Sequence, residues 1–283
     1  MNALVCPAPA KLNLFLHVIG RRSDGYHLLE TVFRFIDYGD TVTLSRRADG
    51  VVVREYDSAD IPESVDLCLR AARLLQAESG TSFGVSIGLD KRLPLGGGLG
   101  GGSSDAASVL LGLNQLWELR WTRQRLQDLA LQLGADVPVF VFGESAFAQG
   151  IGEKLQPVAL SPAWYLVLVP DVHVSTPKIF ASEQLTRDSK SIRIADFSRS
   201  EIFSELTKND LQSAVCSIYP EVAEALDWLG QFGLARMTGS GACVFAEFDD
   251  EQAAKRVYDK LPASMRGFIA QGLDAHPLKN FAT

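Results

Sequence analysis

A glycine-rich stretch has the clearest chemical potential in this sequence. Residues 94–105 read Pro-Leu-Gly-Gly-Gly-Leu-Gly-Gly-Gly-Ser-Ser-Asp, with six glycines in the seven positions 96–102. Glycine adopts positive φ angles readily and lets a ligand approach the backbone amides closely. Backbone N–H groups at the start of a helix bind anions, most often phosphate. The stretch therefore predicts a phosphate-binding loop.

Three other residues could act on a phosphate or on the group that receives it. Lys11 and Asn13 lie two positions apart in an alternating segment, so their side chains share one strand face about 7 Å apart. Asp136 is the only charged residue between Gly134 and Gly143. Each has an ordinary alternative, because Lys11 fits a solvated surface lysine and Asp136 fits a helix N-cap.

The elements that must position the glycine loop follow from hydrophobic periodicity. Apolar residues alternate over residues 83–89, which predicts a strand before the loop. They recur at helical spacing over residues 106–117, which predicts a helix after it, with Ser103, Ser104 or Asp105 as N-cap. The unit is strand, glycine loop and helix.

The remaining segments alternate between helical and strand patterns. Strands are predicted at residues 11–18, 31–38, 41–44, 146–149, 154–157, 164–169, 234–238, 242–248 and 268–273. A helix is predicted from an N-cap at Ser64 to a stop at Gly80, and another after an N-cap at Thr122. A short helix is predicted to begin with Thr176 as N-cap and Pro177 in its first turn. Further helices are predicted on both sides of Pro220 and over residues 250–261. Residues 49–63 are predicted to be loop, and the charged, aperiodic residues 184–207 a domain boundary or long surface loop. This mixture predicts an α+β (mixed α/β) fold.

Composition excludes several classes of function. The chain has 283 residues with 27 Lys+Arg against 34 Asp+Glu, a formal net charge of −7, and no basic patch, so we expect no nucleic-acid partner. Apolar runs such as residues 163–170 are too short to span a bilayer, so we expect no membrane partner. Cys6, Cys68, Cys216 and Cys243 are scattered without metal-like pairing, which favours a reducing, cytoplasmic location.

The glycine pattern alone leaves alternatives open. Gly96, Gly98 and Gly101 satisfy the G-x-G-x-x-G pattern of dinucleotide-binding oxidoreductases, and Glu118 follows at about the expected 20 residues. That fingerprint needs its acid at the end of the next strand, whereas Glu118 falls at the end of the same predicted helix. No Lys-Ser or Lys-Thr follows the glycines, so the stretch is not a Walker A loop. A flexible, solvated loop is the other alternative.

Three separated motifs resemble the GHMP kinase superfamily, named for galactokinase, homoserine kinase, mevalonate kinase and phosphomevalonate kinase. They are Pro-Ala-Lys-Leu-Asn-Leu from Pro9, the glycine loop from Pro94, and Thr-Gly-Ser-Gly-Ala from Thr238. Arg-Ser-Asp-Gly-Tyr-His at 22–27 and Gly-Ala-Asp-Val-Pro-Val-Phe at 134–140 are similar to superfamily members that act on a cytidine diphosphate-linked alcohol. The resemblance covers essentially the whole chain.

The resemblance implies a fold and a reaction. It implies a GHMP kinase fold with an N-terminal ATP-binding domain over residues 1–160, a C-terminal domain over residues 161–283, and the active site in the cleft between them. The implied reaction is ATP-dependent phosphorylation of the 2-hydroxyl of cytidine diphosphate-linked methylerythritol, a small-molecule substrate in non-mevalonate isoprenoid biosynthesis. ATP is the implied cosubstrate, and Mg²⁺ is expected to accompany it. The sequence assigns no metal ligands.

The resemblance also implies roles for individual residues. Asp136 matches the family base, and Lys11 matches the lysine that holds the base and neutralises charge on the γ-phosphate. ATP would be bound by Pro94, Leu95, Gly96, Gly97, Gly98, Leu99, Gly100, Gly101, Gly102, Ser103 and Ser104, with the backbone amides from Gly96 to Ser104 around its phosphates. The substrate would be bound by Asn13, Tyr26, His27, Thr176 and Phe180.

In that substrate set, Asn13 would orient the alcohol, Tyr26 and Phe180 would stack on the cytosine, and His27 would contact its edge. Thr176 would lie beside the substrate, although helix capping explains this residue equally well. A kinase for another alcohol, such as mevalonate or homoserine, is disfavoured by the Tyr26-His27 pair together with Phe180. A non-catalytic nucleotide-binding protein is disfavoured by an intact lysine and base.

Two residues depart from the family pattern. Asp105 stands where related sequences carry Asn or Ala, and an anion there would repel phosphate unless it points away or meets Mg²⁺. Asp66 stands where some relatives place an Asn near the adenine. The resemblance therefore leaves the adenine contacts open.

Overall fold

Two long paired strands form the centre of this computed structural model, which describes residues 2–55, 61–192 and 208–283. β1 (Ala3–Arg21) and β2 (His27–Arg47) pair antiparallel, with irregularities in register. The prediction of separate strands at residues 31–38 and 41–44 is wrong, since β2 is continuous and Gly39 pairs with Pro9 inside the ladder. A Cβ on Gly39 would lie 2.3 Å from the Ala8 carbonyl oxygen. This glycine therefore permits close strand approach rather than ending the strand.

The other strands extend this pair into one mixed sheet. They are β3 (Val52–Arg54), β4 (Gly84–Asp90), β5 (Ala146–Gly150), β6 (Lys154–Pro157), β7 (Trp164–Leu168), β8 (Arg236–Met237), β9 (Val244–Phe248) and β10 (Gly267–Leu273). The sheet order is β3-β4-β2-β10-β7-β9-β8; β1 and β5 also pair with β2, and β6 pairs with β5. Only β3 and β4 pair parallel among the described strands. The loop prediction for residues 49–63 is wrong at β3, and residues 56–60 lie outside the described part.

The helices cover the sheet and fix the ends of the loops. They are α1 (Leu67–Ser79), α2 (Gly101–Leu116), α3 (Arg123–Leu131), α4 (Val137–Phe142), α5 (Thr176–Phe180), α6 (Gln212–Ile218), α7 (Pro220–Leu229) and α8 (Glu251–Tyr258), followed by a 3-10 turn at Lys279–Phe281. The predicted Thr122 cap and the predicted end at Gly80 are confirmed. The predicted Ser64 cap is wrong, because Asp66 accepts from the backbone N–H groups of Cys68 and Leu69.

Three apolar clusters hold these layers together. One packs α1 to α4 against the sheet, another packs α5 to α8 against β7 and β9, and a third lies around β1 with side chains such as Phe15, Tyr165 and Phe245. α2 is buried on nearly all sides, from Ser104 to Leu116. Because α2 follows the glycine loop directly, its burial fixes where that loop ends. The prediction of a mixed α/β fold is confirmed.

The sheet runs from the N-terminal part of the chain into the C-terminal part, because β10 pairs with both β2 and β7. The division at residue 160 stays a prediction, and it falls between β6 and β7. Residues 184–192 form no helix or strand, and residues 193–207 of the predicted boundary lie outside the described part. None of the helices in the described ranges is long and apolar enough to cross a membrane.

Candidate active site

The glycine loop turns sharply between β4 and α2. Gly96, Gly98 and Gly100 have φ angles of 67°, 75° and 73°, a region that favours glycine. Gly100 occupies the N-cap position and α2 begins at Gly101, so the prediction of a serine or aspartate N-cap is wrong. Because the N-cap residue Gly100 has no side chain, α2 begins without a side-chain capping hydrogen bond. This leaves the first backbone amides of α2 without a side chain in front of them.

The loop lines a cavity of about 290 Å³, called here the loop cavity. Residues 94–103 line it, together with Leu67, Lys91, Thr176 and Ser240. Ser104 is outside this set, since its hydroxyl donates to the Pro9 carbonyl oxygen at 2.7 Å. The structure thus brings together the predicted ATP-binding residues, except that the Ser104 side chain turns towards β1.

An ion cluster with two buried carboxylates fastens both ends of the loop. The Lys91 ammonium donates to Asp40 and, at 2.7 Å, to Asp105 in α2. Asp40 also accepts from the backbone N–H groups of Arg92 and Leu93 at 2.6 and 2.8 Å. Asp105 therefore points away from the loop cavity, which is one of the two arrangements in which its charge would not repel a phosphate bound there. Lys91, which sequence reasoning missed, stands between it and the cavity.

The cluster carries one excess negative charge when all three groups are ionised. Burial raises the pKa of Asp105 to about 7; the Lys91 ammonium opposes this shift, and the Asp40 carboxylate reinforces it. Burial alone would lower the pKa of Lys91, yet the two carboxylates raise it above its usual value. The lysine is therefore charged, and Asp105 is the group of this cluster whose ionisation is costly.

Lys11 and Asp136 meet although they come from distant parts of the chain. The Lys11 Nζ lies 3.3 Å from the Asp136 Oδ2. It also donates to the Gly98 carbonyl oxygen at 3.1 Å and to the Asn13 Oδ1 at 2.6 Å. Lys11 is only 2% exposed, so the surface-lysine alternative is wrong. It connects the predicted base directly to the glycine loop.

Asp136 stands at the N-cap position of α4, but its side chain accepts no capping hydrogen bond. Its carboxylate faces Lys11 and its side chain is 39% exposed. The simple-cap alternative is therefore wrong, and the carboxylate remains open to a ligand. Asn13 is buried, and besides Lys11 its amide contacts the Thr31 hydroxyl at 2.9 Å. Asn13 thus holds Lys11 in place as well as lining the site.

A second cavity of about 720 Å³, called here the acceptor cavity, adjoins the loop cavity. Its lining includes Lys11, Asp136 and all five predicted substrate residues: Asn13, Tyr26, His27, Thr176 and Phe180. The two cavities share Gly98, Gly100, Ser103, Thr176 and Ser240. A group bound on the glycine loop would therefore face a group bound beside Lys11 and Asp136.

The aromatic end of the acceptor cavity differs in detail from the expected sandwich. The Phe180 ring stacks on His27, with centroids 4.9 Å apart and planes 29° apart. Tyr26 is 60% exposed at the same cavity. Burial, and next the charges of Arg187 and Arg21, lower the pKa of His27 below its usual value. His27 is therefore neutral at pH 7, and the stacking roles of the aromatic residues stay a prediction.

The third motif holds the glycine loop from the opposite side. The Thr238 hydroxyl accepts from the Asn13 backbone N–H at 2.9 Å and donates to the Gly98 carbonyl oxygen at 3.3 Å. The Cys243 backbone N–H donates to the Gly97 carbonyl oxygen at 3.1 Å. The Ser240 residue, next to these contacts, lines both cavities. The Thr-Gly-Ser-Gly-Ala motif was the signal that could have identified it.

Thr176 differs from its predicted capping role. The N-cap of α5 is Ser175, and Thr176 is the first helical residue. The Thr176 and Ser240 hydroxyls are 2.7 Å apart, at the boundary between the two cavities. The capping explanation for Thr176 is therefore wrong. The other doubtful residue, Asp66, is buried, caps α1 and pairs with Arg54 at 3.1 Å.

Comparisons with known proteins agree with this geometry. Two family models match: "GHMP kinases N terminal domain" over residues 66–144 and "GHMP kinases C terminal" over residues 193–267. The chain is 60% identical to the 4-diphosphocytidyl-2-C-methyl-D-erythritol kinase of Nitrosospira multiformis, covering 99% of this chain and 94% of the relative. It is 61% identical to the protein of the same name from Thiobacillus denitrificans, covering 97% of each.

Solved structures lead to the same family. A crystal structure of 4-(cytidine 5'-diphospho)-2C-methyl-D-erythritol kinase matches with a TM-score of 0.81 and 33% identity, covering 95% of this chain and 99% of that one. The mevalonate kinase of Methanococcus jannaschii matches with a TM-score of 0.70 and 15% identity, covering 96% and 98%. The second likeness concerns the fold alone.

Proposed function

This chain belongs to the GHMP kinase family, and we propose that it transfers the γ-phosphate of ATP to the 2-hydroxyl of 4-diphosphocytidyl-2-C-methyl-D-erythritol. The motifs predicted the family and the helix and strand patterns predicted the mixed fold, and the comparisons confirm both. The substrate comes from the names of relatives that match nearly the whole chain. ADP and the 2-phosphate of the alcohol are the products.

The observation that carries the proposal is the position of the Lys11–Asp136 pair. It lines the acceptor cavity, while the Lys11 ammonium also reaches the Gly98 carbonyl oxygen of the loop. Phosphoryl transfer needs an acceptor hydroxyl in line with the terminal phosphate, and its catalysis is mostly positioning and charge stabilisation. A base and a cation beside a phosphate cradle meet that need.

The roles of the residues follow from this placement. The 2-hydroxyl oxygen attacks the γ-phosphorus, the bond between that phosphorus and the β,γ-bridging oxygen breaks, and ADP leaves. Asp136 accepts the proton of the hydroxyl. Lys11 orients Asp136 and offsets charge on the transferred group, and Asn13 keeps Lys11 in position. The amides of the glycine loop and the start of α2 bind the phosphates of ATP.

The cytidine occupies the far end of the acceptor cavity. Tyr26 and Phe180 stack on the base, and His27 contacts its edge. Base–aromatic stacking contributes about 1–3 kcal/mol per base. Thr176 and Ser240 lie where the two cavities join, so their hydroxyls would contact the diphosphate or the transferred phosphate.

Mg²⁺ fits this site as an ion carried by ATP rather than by a protein cage. The described residues include no group of three or more His, Cys, Asp or Glu that could hold a metal. Mg²⁺ in kinases is bound by phosphates, waters and one or two protein oxygens. Ser103, where the two cavities join, and Asp136, in the acceptor cavity, are side chains that could supply such an oxygen. When bound, Mg²⁺ neutralises charge on the β- and γ-phosphates.

We also propose that the enzyme works in the cytoplasm, on a small molecule and without a nucleic-acid or membrane partner. The cytoplasm supplies ATP and keeps thiols reduced, and Cys6, Cys68 and Cys243 are buried thiols. The net charge of −7 opposes nucleic-acid binding. Cell fractionation with an antibody against the chain tests the location.

A coupled ADP-release assay tests the proposed function. The purified chain receives ATP, Mg²⁺ and either the cytidyl alcohol, mevalonate or homoserine, and ³¹P NMR identifies the product. We expect turnover only with the cytidyl alcohol, a new phosphate monoester at its 2-position, and inhibition by CDP. Turnover of mevalonate or homoserine instead would refute the substrate. Nucleotide binding without turnover would indicate a non-catalytic protein, and NAD(H) binding would revive the oxidoreductase alternative.

A further inference from the structure

We infer that Arg187 is a positioning residue that fixes the His27 imidazole with its proton on Nδ1, and that this makes the acceptor cavity select cytosine over uracil. The inference rests on the proposed function, because it assumes that His27 contacts the base of the substrate. Arg187 lies in a charged stretch to which the sequence assigns no role. Its contacts in the structure assign it one.

Arg187 is held by hydrogen bonds on all of its nitrogens. Its Nη1 donates to the Leu185 carbonyl oxygen at 3.1 Å, and its Nη2 donates to the carbonyl oxygens of Phe180 and Ser182 at 3.1 and 2.8 Å. Its remaining nitrogen, Nε, donates to the His27 Nε2 at 3.2 Å. The guanidinium is thus fixed against the end of α5, with its Nε–H directed at the imidazole.

This contact determines where the proton of His27 lies. A guanidinium has five N–H donors, no acceptor, and does not lose its proton in proteins. The His27 Nε2 must therefore present its lone pair, which excludes both the Nε2–H tautomer and the doubly protonated ring. The lowered pKa of His27, due first to burial and then to Arg187 and Arg21, agrees with a neutral ring. The proton is on Nδ1.

The ring is held in orientation as well. The Phe180 ring stacks on one face of His27 at a centroid distance of 4.9 Å, while Arg187 occupies the Nε2 edge. Among the residues that the structure describes, none is recorded as accepting from the Nδ1–H. That group is therefore the imidazole donor left for a ligand in the acceptor cavity, which His27 lines.

A fixed N–H donor distinguishes the two pyrimidines. The N3 atom of cytosine is an acceptor, whereas the N3 atom of uracil carries a proton. The Nδ1–H of His27 donates to N3 of cytosine but meets the N3–H of uracil, which is also a donor. The reverse tautomer would invert this preference. Leaving such a group unpaired typically reduces binding about 10- to 100-fold. Arg187 thus controls base selection without contacting the base.

Two substitutions at Arg187 separate this role from a merely structural one. In Arg187→Gln, the amide can donate to or accept from Nε2, so the tautomer is no longer fixed. In Arg187→Lys, the ammonium can only donate, so the tautomer is kept. Both replacements disturb the carbonyl contacts after α5, and Arg187→Lys is therefore the matched control.

The first measurement is the ¹⁵N spectrum of the histidine side chains in the full chain at pH 8. The chain has four histidines, so His27→Asn assigns the His27 signals by their loss. We expect a protonated Nδ1 and an unprotonated Nε2 in the wild type and in Arg187→Lys, and a mixture of tautomers in Arg187→Gln. A protonated Nε2 in the wild type would overturn the inference.

The second measurement is kcat/KM for the cytidyl substrate divided by kcat/KM for its uridyl analogue. We expect Arg187→Gln to lower this ratio about 10- to 100-fold and Arg187→Lys to change it less than about threefold. A shifted tautomer with an unchanged ratio would overturn the selection role. If the wild type turned over neither substrate, the proposed function would fail instead, while the ¹⁵N result would still report on the tautomer.

Discussion

Gly98→Ala tests whether the shape of the glycine loop sets the rate. Gly98 has a φ of 75°, and a Cβ there would lie 2.2 Å from the Thr238 carbonyl oxygen and 3.0 Å from that of Gly241. Both obstacles are backbone atoms, so the loop must move by about 0.8 Å or more to restore a contact of 3.0 Å. The Gly98 carbonyl also accepts from Lys11, so this movement displaces the cation that contacts the proposed base, Asp136.

A displacement of about 1 Å in a reacting arrangement costs about 10²-fold in rate. We therefore expect kcat of Gly98→Ala to fall about 10²-fold in the coupled ADP-release assay. The left-handed conformation adds about 1–2 kcal/mol of destabilisation, measured by urea unfolding. Gly80→Ala is the matched control, because Gly80 has a φ of 66° at the end of α1 with nothing within 4 Å of its Cβ position.

The control should show the same loss of stability with an unchanged kcat, since α1 ends away from both cavities. The comparison thus separates backbone strain from displacement of the catalytic groups. A folded Gly98→Ala protein whose kcat stays within threefold of the wild type would refute the reasoning. Equal losses of kcat in both variants would refute it as well, because strain alone would then explain the effect.

Three further variants test the other parts of the account. Since burial raises the pKa of Asp105 to about 7, Asp105→Asn should raise Tm at pH 8 by about 2–4 °C, a gain that shrinks as the pH falls below 7. Burial lowers the pKa of His276 to about 3, so as the pH falls the histidine is protonated in the unfolded chain before it is protonated in the folded one. The free energy of unfolding should therefore fall by about 2 kcal/mol from pH 7 to pH 5. His276→Asn should remove this loss, measured by urea unfolding at each pH. Phe180→Ala should raise KM for the cytidyl substrate about 5- to 150-fold and leave KM for ATP unchanged. For Phe180→Ala, an equal rise in KM for the cytidyl substrate and for ATP would contradict the prediction. For Asp105→Asn and His276→Asn, a difference in stability from the wild type that does not change with pH would contradict it.

Elements with a clear period could be predicted from the sequence because burial of one face imposes that period. The strand before the glycine loop and the helix after it are examples, and the alternation around Lys11 placed Lys11 and Asn13 on one face. Helix starts were less certain for a physical reason. Ser64 and Asp66, or Ser175 and Thr176, are competent caps within two residues of each other, and only tertiary packing decides between them.

Contacts between distant residues could not be predicted from local pattern. Lys91 precedes the glycine loop like any solvated lysine, and only the fold brings Asp40 and Asp105 to it. Arg187 likewise lies in a charged, aperiodic stretch, and only the fold brings it to His27 of β2 and to Phe180 of α5. The Lys11–Asp136 pair was expected from family motifs alone, because spacing cannot bring together residues from β1 and α4. Motifs thus predicted the reacting groups, whereas the supporting charges needed the structure.

The proposed reaction requires Asp136 to take the proton of an alcohol held beside a phosphate on the glycine loop. Asp136→Asn keeps the size of the side chain and its contact with Lys11 but removes the base. We expect kcat with the cytidyl alcohol to fall about 10²- to 10⁴-fold, while calorimetry shows ATP binding within a few-fold of the wild type. A variant that retains near-normal kcat would contradict the account.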